Sequence, residues 1–506
     1  MTRDKKRGAE PLNFEELSGV GPSPVPTVAP PAQQNLGSRT GTKRPRGPVR
    51  PRVGFSWWRW IKRLLLAFAI LAPIGIAVTW WAVHTYDWAG PLVADTLRAV
   101  IGVNNVARLE DFAYSVEDRY NRWAKGGEAP KSHWAVPSTE PEHPTPAPSA
   151  SASVGAIEQP LPPFRPKDVG PVHESWSAPG DGQWVPIRDP RYPKEQPYLY
   201  KTLLHPDRNR SWAEVFVVAA DLRRVRLHPV IGYQEPKSDT EEAKAKLLER
   251  TPARPAVIPQ KDHARLLAAF NGGFKTEHGH YGMMLDGLTI LPPRGKSCGI
   301  AMYPDETLKI RDWEALKPSM GEMVWYRQTP NCMVQAGKLH PLLQYGSKVT
   351  KWGATLDKET VIRRSAIGLN EAGDVLYASI TNSTTAEAIA AGMQHAGAAY
   401  VAQLDVNWSY PKFFTFEAKQ PGGPLEAIPL ADGFEYDKDE WIRERAMRDF
   451  YYLTRKTPEE ARAWVKAHPR ASSAAPAPSA SAAGSASVAA PSASAAPSPV
   501  GSVPAR

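Results

Sequence analysis

Residues that could bind an anion and transfer a proton lie close together between residues 363 and 410. Arg364 comes directly before an apolar run, and Asn382 and Asp405 each come shortly after one. An arginine can bind an anion through two parallel hydrogen bonds, and a neighbouring carboxyl group can act as an acid or a base. These residues therefore predict an anion-binding site with acid–base chemistry. An ion pair between Arg364 and Asp405 that serves only the fold is the alternative.

The predicted secondary structure explains why these residues would meet. Residues 365–369 and 375–380 are apolar runs around a turn rich in Asn, Asp and Gly, which is typical of two antiparallel strands. Residues 384–387 match the capping box that begins a helix, and residues 400–404 predict the next strand. A strand–helix–strand unit normally joins two parallel strands by a right-handed crossover. The residues then expected at one edge of the sheet are Arg364, Asn382, Thr384 and Asp405.

Two glycine-containing turns lie nearer the N-terminus. Residues 266–270 form a short apolar run that predicts a buried strand, and this run ends in Asn-Gly-Gly at 271–273. Glycine tolerates positive φ and has no Cβ, so backbone N–H groups could approach a ligand here. Residues 283–285 predict a second strand, which ends in a turn at Asp286. Taken alone, both turns are also what ordinary β-hairpins contain.

Taken in order, four short motifs of this chain resemble the phosphodiester glycosidase domain family over roughly residues 210–430. They are Phe-Asn-Gly-Gly-Phe at 270–274, Leu-Asp-Gly at 285–287, Arg-Ser-Ala-Ile-Gly-Leu at 364–369 and Gln-Leu-Asp at 403–405. Members of that family typically have Ile-Asn-Gly-Gly-Phe-Phe, Asp-Gly, Arg-Thr-Ala-Ile-Gly and Leu-Asp-Gly-Gly-Gly-Ser-Ser. The last motif differs, because Val-Asn-Trp-Ser-Tyr at 406–410 stands where the family has its glycines.

The resemblance implies an exported hydrolase that cleaves glycosyl-1-phosphodiester bonds in envelope or extracellular glycans, with no cofactor. Such bonds break through an oxocarbenium-like transition state, with carboxyl groups as acid and base. The carboxyl groups implied as catalytic are Asp405 and Asp286, and Arg364 would hold the phosphate. The other residues predicted to contact the substrate are Asn271, Gly272, Gly273, Asn382, Thr384 and Asn407.

A module that binds a glycan or an envelope polymer without catalysis is the alternative function. Trp408 and Tyr410 are large flat side chains that fill space that glycines would leave open. A pair of aromatic side chains can stack on sugar rings. With either function, the expected partner is a glycan or a phosphodiester.

The run at 64–83 contains no charged residue and is flanked by tryptophans, which predicts a transmembrane helix in a lipid bilayer. At about 1.5 Å per residue it spans roughly 30 Å, the thickness of the hydrocarbon layer. Residues 1–63 carry almost all of the net charge of +10. Because basic flanks stay in the cytoplasm, we expect a single-pass protein with a cytoplasmic N-terminus and a periplasmic or extracellular C-terminal domain. A cleaved signal peptide is the alternative.

The expected fold class is α+β, with a mixed β-sheet domain that contains the strand–helix–strand unit. The rest of the chain is nearly neutral once residues 1–63 are set aside, so we expect no nucleic-acid binding by the folded part. The 51 prolines and the mean hydropathy of −0.41 indicate that only part of the chain forms a core. The segments expected are a basic disordered cytoplasmic segment (1–63), the transmembrane helix (64–83), juxtamembrane amphipathic helices (84–135), a Pro/Ala/Ser-rich linker (136–170), the exported domain (171–470) and an Ala/Pro/Ser-rich disordered tail (471–506).

Two local predictions concern strand pairing and helix content. Residues 213–220 are largely apolar, and residues 225–230 alternate between apolar and polar side chains. A short polar turn separates the two segments, which favours an antiparallel pair. Residues 439–465 are expected to contain helical stretches.

Cys298 and Cys332 are the only cysteines, and both lie in the part predicted to be exported. Two thiols in an oxidising compartment favour a disulfide, and separate burial of two small side chains is the alternative. His278 and His280 have the spacing of two metal ligands on a strand, but a third ligand is not evident. We therefore predict no metal site, and the sequence makes no prediction about the oligomeric state.

Overall fold

The computed structural model of the chain describes residues 57–85, 96, 116, 118–136, 161–238, 240–250, 254–348, 350–353, 361–407, 410–420, 423–434 and 436–469. The expectations for the basic segment before residue 57, for most of residues 86–117, for the linker at 137–160 and for the tail lie outside these residues. The described part of the chain is rich in β-sheet and contains several helices, in agreement with the predicted α+β class.

The first described element is a long helix, α1 (Trp57–Thr85), with Pro73 inside it. Its segment Trp60–Thr79 has 20 residues, and by length and composition it is the one helix in the described residues that could cross a membrane. None of its most apolar stretch is buried. Such a helix fits a membrane span and a signal anchor equally well, so the topology stays a prediction.

The strands of the described residues are, in chain order, β1 (Val185–Ile187), β2 (Leu199–Leu204), β3 (Val215–Asp221), β4 (Val225–Val230), β5 (Leu266–Asn271), β6 (Met283–Leu285), β7 (Leu288–Leu291), β8 (Cys298–Met302), β9 (Leu308–Asp312), β10 (Trp325–Thr329), β11 (Val334–Gln335), β12 (Lys338–Leu339), β13 (Ser365–Leu369), β14 (Val375–Thr381), β15 (Tyr400–Gln403), β16 (Phe413–Ala418), β17 (Leu425–Pro429) and β18 (Phe450–Arg455). The other helices are α2 (Glu241–Arg250), α3 (Trp313–Leu316), α4 (Ala386–His395) and α5 (Pro458–Ala467). Residues 118–125 are helical as well.

These strands form three sheets in which every named pair is antiparallel. The first sheet has the order β1-β2-β3-β14-β13-β15-β11-β12. The second has the order β17-β16-β5-β18-β4, and the third has the order β7-β6-β10-β8-β9. One cluster of buried apolar side chains draws on all three sheets, with Phe216 from the first, Phe270 from the second and Trp325 from the third. The three sheets therefore share one core.

Strand β3 illustrates why several strands are apolar on both faces. Successive side chains of a strand point to opposite faces. The even-numbered residues from Phe216 to Ala220 belong to the core that the three sheets share. The odd-numbered residues from Val215 to Ala219 belong to a second cluster, to which α4 contributes Ile389. Because both faces are covered, the strand is a continuous apolar run rather than an alternating one.

The strand–helix–strand unit is formed by β14, α4 and β15, but its two strands are not direct neighbours. They run in the same direction because each pairs antiparallel with β13, which lies between them. Ser365 at the start of β13 lies opposite Ile380 of β14, and Ala366 lies opposite Gln403 of β15. The start of β13 and the ends of β14 and β15 therefore lie at one end of the sheet, as strand direction predicted.

One local prediction was wrong and another holds only in part. Strands β3 and β4 were expected to pair with each other, but β3 pairs with β2 and β14, whereas β4 pairs with β18 in another sheet. The helical stretches expected within residues 439–465 are present as α5, but residues 450–455 form β18, which lies between β5 and β4. In both cases the partner strands are distant in sequence, and local patterns carry no information about them.

Parts of the chain that the sequence assigned to juxtamembrane helices and a linker pack on the sheets. Asp118 is buried and accepts hydrogen bonds from Arg210 Nε at 2.8 Å and Nη2 at 2.9 Å. Phe164 is also buried, with its ring 5.6 Å from that of Tyr200. The packed unit therefore includes residues before 171.

A disulfide joins Cys298 to Cys332, with the two Cα atoms 4.7 Å apart. Cys298 begins β8 in the third sheet, and Cys332 lies shortly before β11 in the first. Both side chains are fully buried in the shared core. The bond therefore ties two of the three sheets together.

Replacing both cysteines by alanine is expected to lower the free energy of unfolding by about 3–4 kcal/mol, the loop-entropy estimate for this spacing. The two residues are 34 positions apart in sequence. Urea unfolding followed by tryptophan fluorescence measures the change. As a control, a reducing agent should destabilise the native chain and leave the double variant unchanged. Equal stability of the two proteins would show that the bond contributes nothing.

Candidate functional site

A cavity of about 330 Å³ lies at the C-terminal end of β5, beside the segments that precede β16 and β18. Its lining combines four carboxyl groups with three cationic side chains and three aromatic rings. The lining residues are Tyr233, Asn271, Gly272, Gly273, Asp405, Tyr410, Lys412, Glu440, Trp441, Glu444, Arg445, Ala446, Met447, Arg448 and Asp449. This cavity is the candidate functional site.

A chain of hydrogen bonds joins the second sheet to the first at this cavity. Asn271 at the end of β5 donates from Nδ2 to Ser365 Oγ at 2.7 Å. Ser365 Oγ in turn donates to the backbone oxygen of Asp405 at 2.7 Å. The N–H of Asp405 donates to the backbone oxygen of Gly272 at 2.9 Å. These contacts place Asp405 beside the Asn-Gly-Gly turn.

Gly272 and Gly273 are required because other atoms lie too close to leave room for a Cβ, and not because their φ is positive. A Cβ on Gly272 would lie 2.4–2.7 Å from atoms of Asp449, including its backbone. A Cβ on Gly273 would lie 2.6–2.7 Å from the guanidinium of Arg327. The N–H groups of both glycines donate to Asp449, to its backbone oxygen and to Oδ2, each at 2.9 Å. The amides predicted to contact the substrate are therefore engaged within the protein.

A buried ion pair between Arg327 and Asp449 lies directly beneath the turn. Arg327 Nε donates to Asp449 Oδ2 at 2.9 Å, and Nη2 donates to Oδ1 at 3.1 Å. Arg327 also donates to the backbone oxygens of Phe274 and Tyr281. Burial opposes the charged guanidinium, but the attraction and hydrogen bonds of Asp449 outweigh it and raise the pKa of Arg327 above its ordinary value. The arginine therefore holds three segments together as a permanent cation.

Asp405 is held by Arg448, and not by Arg364, the alternative partner that the sequence suggested. The two side chains are buried, and Arg448 Nη1 donates to Asp405 Oδ2. Asp405 Oδ1 accepts from the N–H of Val406 at 2.9 Å. The guanidinium carbon of Arg448 lies 3.1 Å from the ring centroid of Tyr410, which is a cation–π arrangement. The carboxylate, the arginine and the tyrosine thus form one layered wall of the cavity.

The other charged side chains that line the cavity form an ion pair or stack on an aromatic ring. Lys412 Nζ donates to both carboxylate oxygens of Glu440, at 2.7 and 2.8 Å. Arg445 is exposed, and its guanidinium carbon lies 4.8 Å from the ring centroid of Tyr233. Glu444 is also exposed. The outer part of the cavity is therefore accessible to solvent and carries both signs of charge.

Arg364, predicted to hold a phosphate, does not line the cavity. Its side chain is fully buried, and its guanidinium donates to the backbone oxygens of Trp352, Gly353 and Thr384 and to Gln403 Oε1. Burial lowers the pKa of Arg364 to about 9. The arginine lies at the predicted sheet edge, but it faces backbone oxygens there. The carboxylate predicted as its alternative partner, Asp405, is bound to Arg448 instead.

The other predicted residues at this edge also lie outside the cavity lining. Asn382 donates to Glu214, which in turn contacts His133 Nε2 at 2.7 Å. Thr384 is fully buried and pairs with Ile362. The helix begins one residue later than expected, because Thr385 is the N-cap and accepts from the N–H of Ala388. The N-terminus of the helix therefore lies at Thr385, and the N–H of Thr384 donates to the backbone oxygen of Ile362 at 3.0 Å.

Asp286 and Asn407 lie elsewhere as well. Asp286 has φ 48° and is exposed in the turn between β6 and β7. Asn407 has φ 124°, and its N–H donates to the backbone oxygen of Arg363 at 3.1 Å. Among the residues predicted from sequence, the cavity thus unites Asn271, Gly272, Gly273 and Asp405. The catalytic and binding roles assigned to these residues stay predictions.

Sequence reasoning missed the segment 440–449, which supplies much of the lining. Arg448 and Asp449 directly precede the apolar run that forms β18. The signal that could have revealed this segment was the pair of charged residues, Arg448 and Asp449, directly before a central strand. It was hidden because residues 450–455 were expected within helical stretches.

The cavity combines groups that suit an anionic sugar derivative. A carboxylate fixed by an arginine can stabilise positive charge that develops on a sugar ring. Lysine and arginine side chains bind phosphate oxygens through charge-assisted hydrogen bonds. The aromatic rings of Tyr233, Tyr410 and Trp441 offer flat apolar surfaces. The cavity thus combines carboxyl groups, cations and flat apolar rings.

No model of a known protein family matches the chain, and no curated protein matches it either. Among solved structures, the chain is similar to the catalytic domain of zebrafish N-acetylglucosamine-1-phosphodiester alpha-N-acetylglucosaminidase auto-inhibited by its pro-peptide. The identity is 13% and the TM-score is 0.34, over 54% of this chain and 88% of that domain. A hypothetical protein from Synechocystis has 8% identity and a TM-score of 0.28, over 51% of this chain and 62% of its own. A protein described as exported, from Burkholderia pseudomallei, has 12% identity and a TM-score of 0.25, over 48% and 74%. These are weak structural likenesses.

Replacing Gly273 by alanine should disrupt the turn, because the new Cβ would overlap the guanidinium of Arg327. We expect a loss of about 1–3 kcal/mol in the free energy of unfolding from overpacking, and more if the Arg327–Asp449 pair separates. Gly321→Ala is the matched control, because nothing lies within 4 Å of its Cβ. Urea unfolding of both variants measures the difference. Equal stabilities would contradict the close packing described here.

Proposed function

We propose that this chain is a membrane-anchored exported hydrolase that cleaves glycosyl-1-phosphodiester bonds in envelope or extracellular glycans. The observation that carries the proposal is that two separate sequence motifs meet in one cavity. The Asn-Gly-Gly turn and Asp405 line it together with cationic and aromatic side chains. The resemblance of these motifs to those of the phosphodiester glycosidase family supports the reaction class.

Asp405 is the proposed carboxylate at the reacting carbon. The ion pair with Arg448 and the hydrogen bond from Val406 fix its orientation. A fixed negative charge beside the sugar ring stabilises the oxocarbenium-like transition state, because the charge needs no reorganisation when the bond breaks. Arg448 acts on Asp405 by positioning it.

Glycoside cleavage also needs a group that gives or takes a proton. Glu444 lines the same cavity and is exposed to solvent, from which the attacking water must come. We assign the proton-transfer role to Glu444.

The phosphate is assigned to the cations of the cavity rather than to Arg364. Lys412 and Arg445 line the cavity, and Arg445 is exposed. Charge-assisted hydrogen bonds from these side chains would neutralise a phosphodiester. Arg364 faces backbone oxygens outside the cavity, so its proposed contribution is to the sheet edge that carries Asp405.

A glycan-binding module without catalysis is the second candidate. It is favoured by one observation, that the carboxylate of Asp405 and the amides of Gly272 and Gly273 are all engaged within the protein. The aromatic rings would then stack on sugars, and the charged groups would select an anionic polymer. Such a module would bind envelope polysaccharide and release no product from it.

The decisive comparison is between the two aspartates that the sequence singled out. Asp405→Asn is expected to reduce turnover of a chromogenic glycosyl phosphodiester by about 10²-fold or more. Asp286→Asn should leave turnover within about twofold, because that side chain is exposed in a hairpin turn outside the cavity. Initial rates at saturating substrate measure both. Full turnover in Asp405→Asn would exclude this residue from the mechanism.

A stability control is needed because Asp405→Asn leaves Arg448 buried without its carboxylate. The expected loss is about 3–5 kcal/mol, so rates are compared below both melting transitions. Arg448→Gln breaks the same ion pair but keeps the carboxyl group, so it should retain much more turnover than Asp405→Asn. If the wild-type chain binds polysaccharide and shows no turnover with any phosphodiester, the binding module is the function.

The proposed anchoring has its own test. The basic segment before α1 motivates a cytoplasmic N-terminus. A reporter enzyme that is active only outside the cytoplasm is expected to be active when fused after Pro469 and inactive when fused before Trp57. The opposite pattern would reverse the topology and place the cavity in the cytoplasm.

A further inference from the structure

The helix at residues 118–125 turns a polar side to the folded unit. Asp118 is 3% exposed and is bound by Arg210 through two hydrogen bonds. Asn121, almost one turn later, is 9% exposed. Residues 84–135 were expected to form amphipathic helices, and the apolar side of such a helix normally packs against a protein core. Here the docked side is the polar one.

The apolar side of this helix is exposed instead. Val116 is 45% exposed, Tyr120 is 60% exposed and Trp123 is 82% exposed. The spacing of four and three residues places them on one face. The rings of Tyr120 and Trp123 lie 5.9 Å apart. An exposed cluster of this kind normally marks an interaction site.

Two arginines of the same helix, Arg119 and Arg122, are exposed beside these aromatic rings. Lys125 is only partly exposed, and it lies four residues after Asn121, on the docked side. Asp118 is bound to Arg210 and contacts Arg122 at 3.1 Å, but Arg122 is nevertheless 51% exposed. The exposed side therefore carries aromatic rings with two arginines beside them.

We propose that this aromatic-basic face (Val116, Arg119, Tyr120, Arg122 and Trp123) binds the headgroup region of an anionic lipid bilayer. Tryptophan and tyrosine concentrate at membrane interfaces because their rings are apolar at one end and polar at the other. Arginine side chains beside them attract anionic headgroups. Both kinds of residue lie on the side of the helix that the folded unit leaves uncovered.

The length of the chain between α1 and this face supports a bilayer as its partner. The face begins at Val116, 31 positions after Thr85 at the end of α1. Even a fully extended connection of that length reaches at most about 110 Å. The inference rests on the proposed anchoring, because a chain anchored by α1 keeps this face permanently near the bilayer. A tether of this kind gives the face an effective concentration at the bilayer surface in the millimolar range. Even weak contacts with lipid then keep the face bound for much of the time.

Binding of this face to lipid would fix the orientation of the folded unit relative to the membrane. Once this face is held on the bilayer, the folded unit can no longer rotate freely on its tether. Asp118 and Arg210 then form the rigid link between the lipid-bound helix and the sheets. The cavity would meet substrate from a fixed direction relative to the membrane.

The test uses the full chain in vesicles of phosphatidylcholine and phosphatidylglycerol that contain a lipid-borne fluorescence quencher. Single cysteines are introduced by Ala124→Cys, beside the exposed aromatics, or by Leu248→Cys, and labelled with a fluorophore. Leu248 is the matched control, because it is 56% exposed on α2, which has equal numbers of acidic and basic residues. We expect at least threefold stronger quenching at residue 124 than at residue 248.

Two sets of substitutions separate the contributions to this quenching. Arg119→Glu and Arg122→Glu together should reduce quenching at residue 124 to the level at residue 248, as should Tyr120→Ser with Trp123→Ser. High salt should weaken it too, because it screens the attraction to anionic lipid. Circular dichroism and thermal melting verify that both variants stay folded.

A third labelled site distinguishes failure of this inference from failure of the anchor. Val78→Cys lies in α1 and should be quenched if the helix is inserted. Quenching at residue 78 with equal signals at residues 124 and 248 would overturn the lipid-binding face and leave the anchor intact. Without quenching at residue 78, the anchor fails, and the ratio between residues 124 and 248 still decides whether the face binds lipid. Cross-linking of two chains through residue 124 without quenching would assign the face to a second copy and overturn the inference.

Discussion

The buried ion pair between Arg327 and Asp449 is the contact on which the centre of this structure depends. Arg327 lies in the third sheet, and Asp449 directly precedes the central strand β18 of the second. Asp449 also accepts the N–H groups of Gly272 and Gly273, and Gly272 accepts the N–H of Asp405, which follows the last strand of the strand–helix–strand unit in the first sheet. One ion pair thus links three sheets that share a single core.

Burying two charges is costly unless all of their hydrogen-bonding groups are satisfied. Arg327 meets that requirement with two carboxylate oxygens and two backbone oxygens, from Phe274 and Tyr281. Gly272 and Gly273 make room for this ion pair. A Cβ at either residue would overlap Asp449 or the guanidinium of Arg327. The Asn-Gly-Gly turn is therefore built around a counter-ion.

This arrangement shapes the cavity and its chemistry. With Asp449 engaged below the turn, Asp405 faces the cavity with Arg448 and Tyr410 as its fixed neighbours. Glu444 and Arg445 remain at the solvent side. The interior thus has preorganised charge, and the outer part has groups that can exchange protons and bind anions. Beyond the cavity, the same folded unit carries the aromatic-basic face on the helix at 118–125, held by the contact between Asp118 and Arg210.

The local elements and part of the site could be predicted from the amino-acid sequence. Apolar runs, turn residues and the capping pattern predicted strands β5, β13, β14 and β15 and a helix close to the observed α4, because each depends on neighbours a few residues away. Strand direction then placed Arg364 and Asp405 at one sheet edge. The direction in which these side chains point depends on tertiary contacts. Arg364 points to backbone oxygens, and Asp405 points to Arg448. The partners that settle this, Arg327, Arg448 and Asp449, are distant in sequence from the motifs. Their contact arises from strand pairing across sheets, and pairing of that range leaves no periodic signal in the chain.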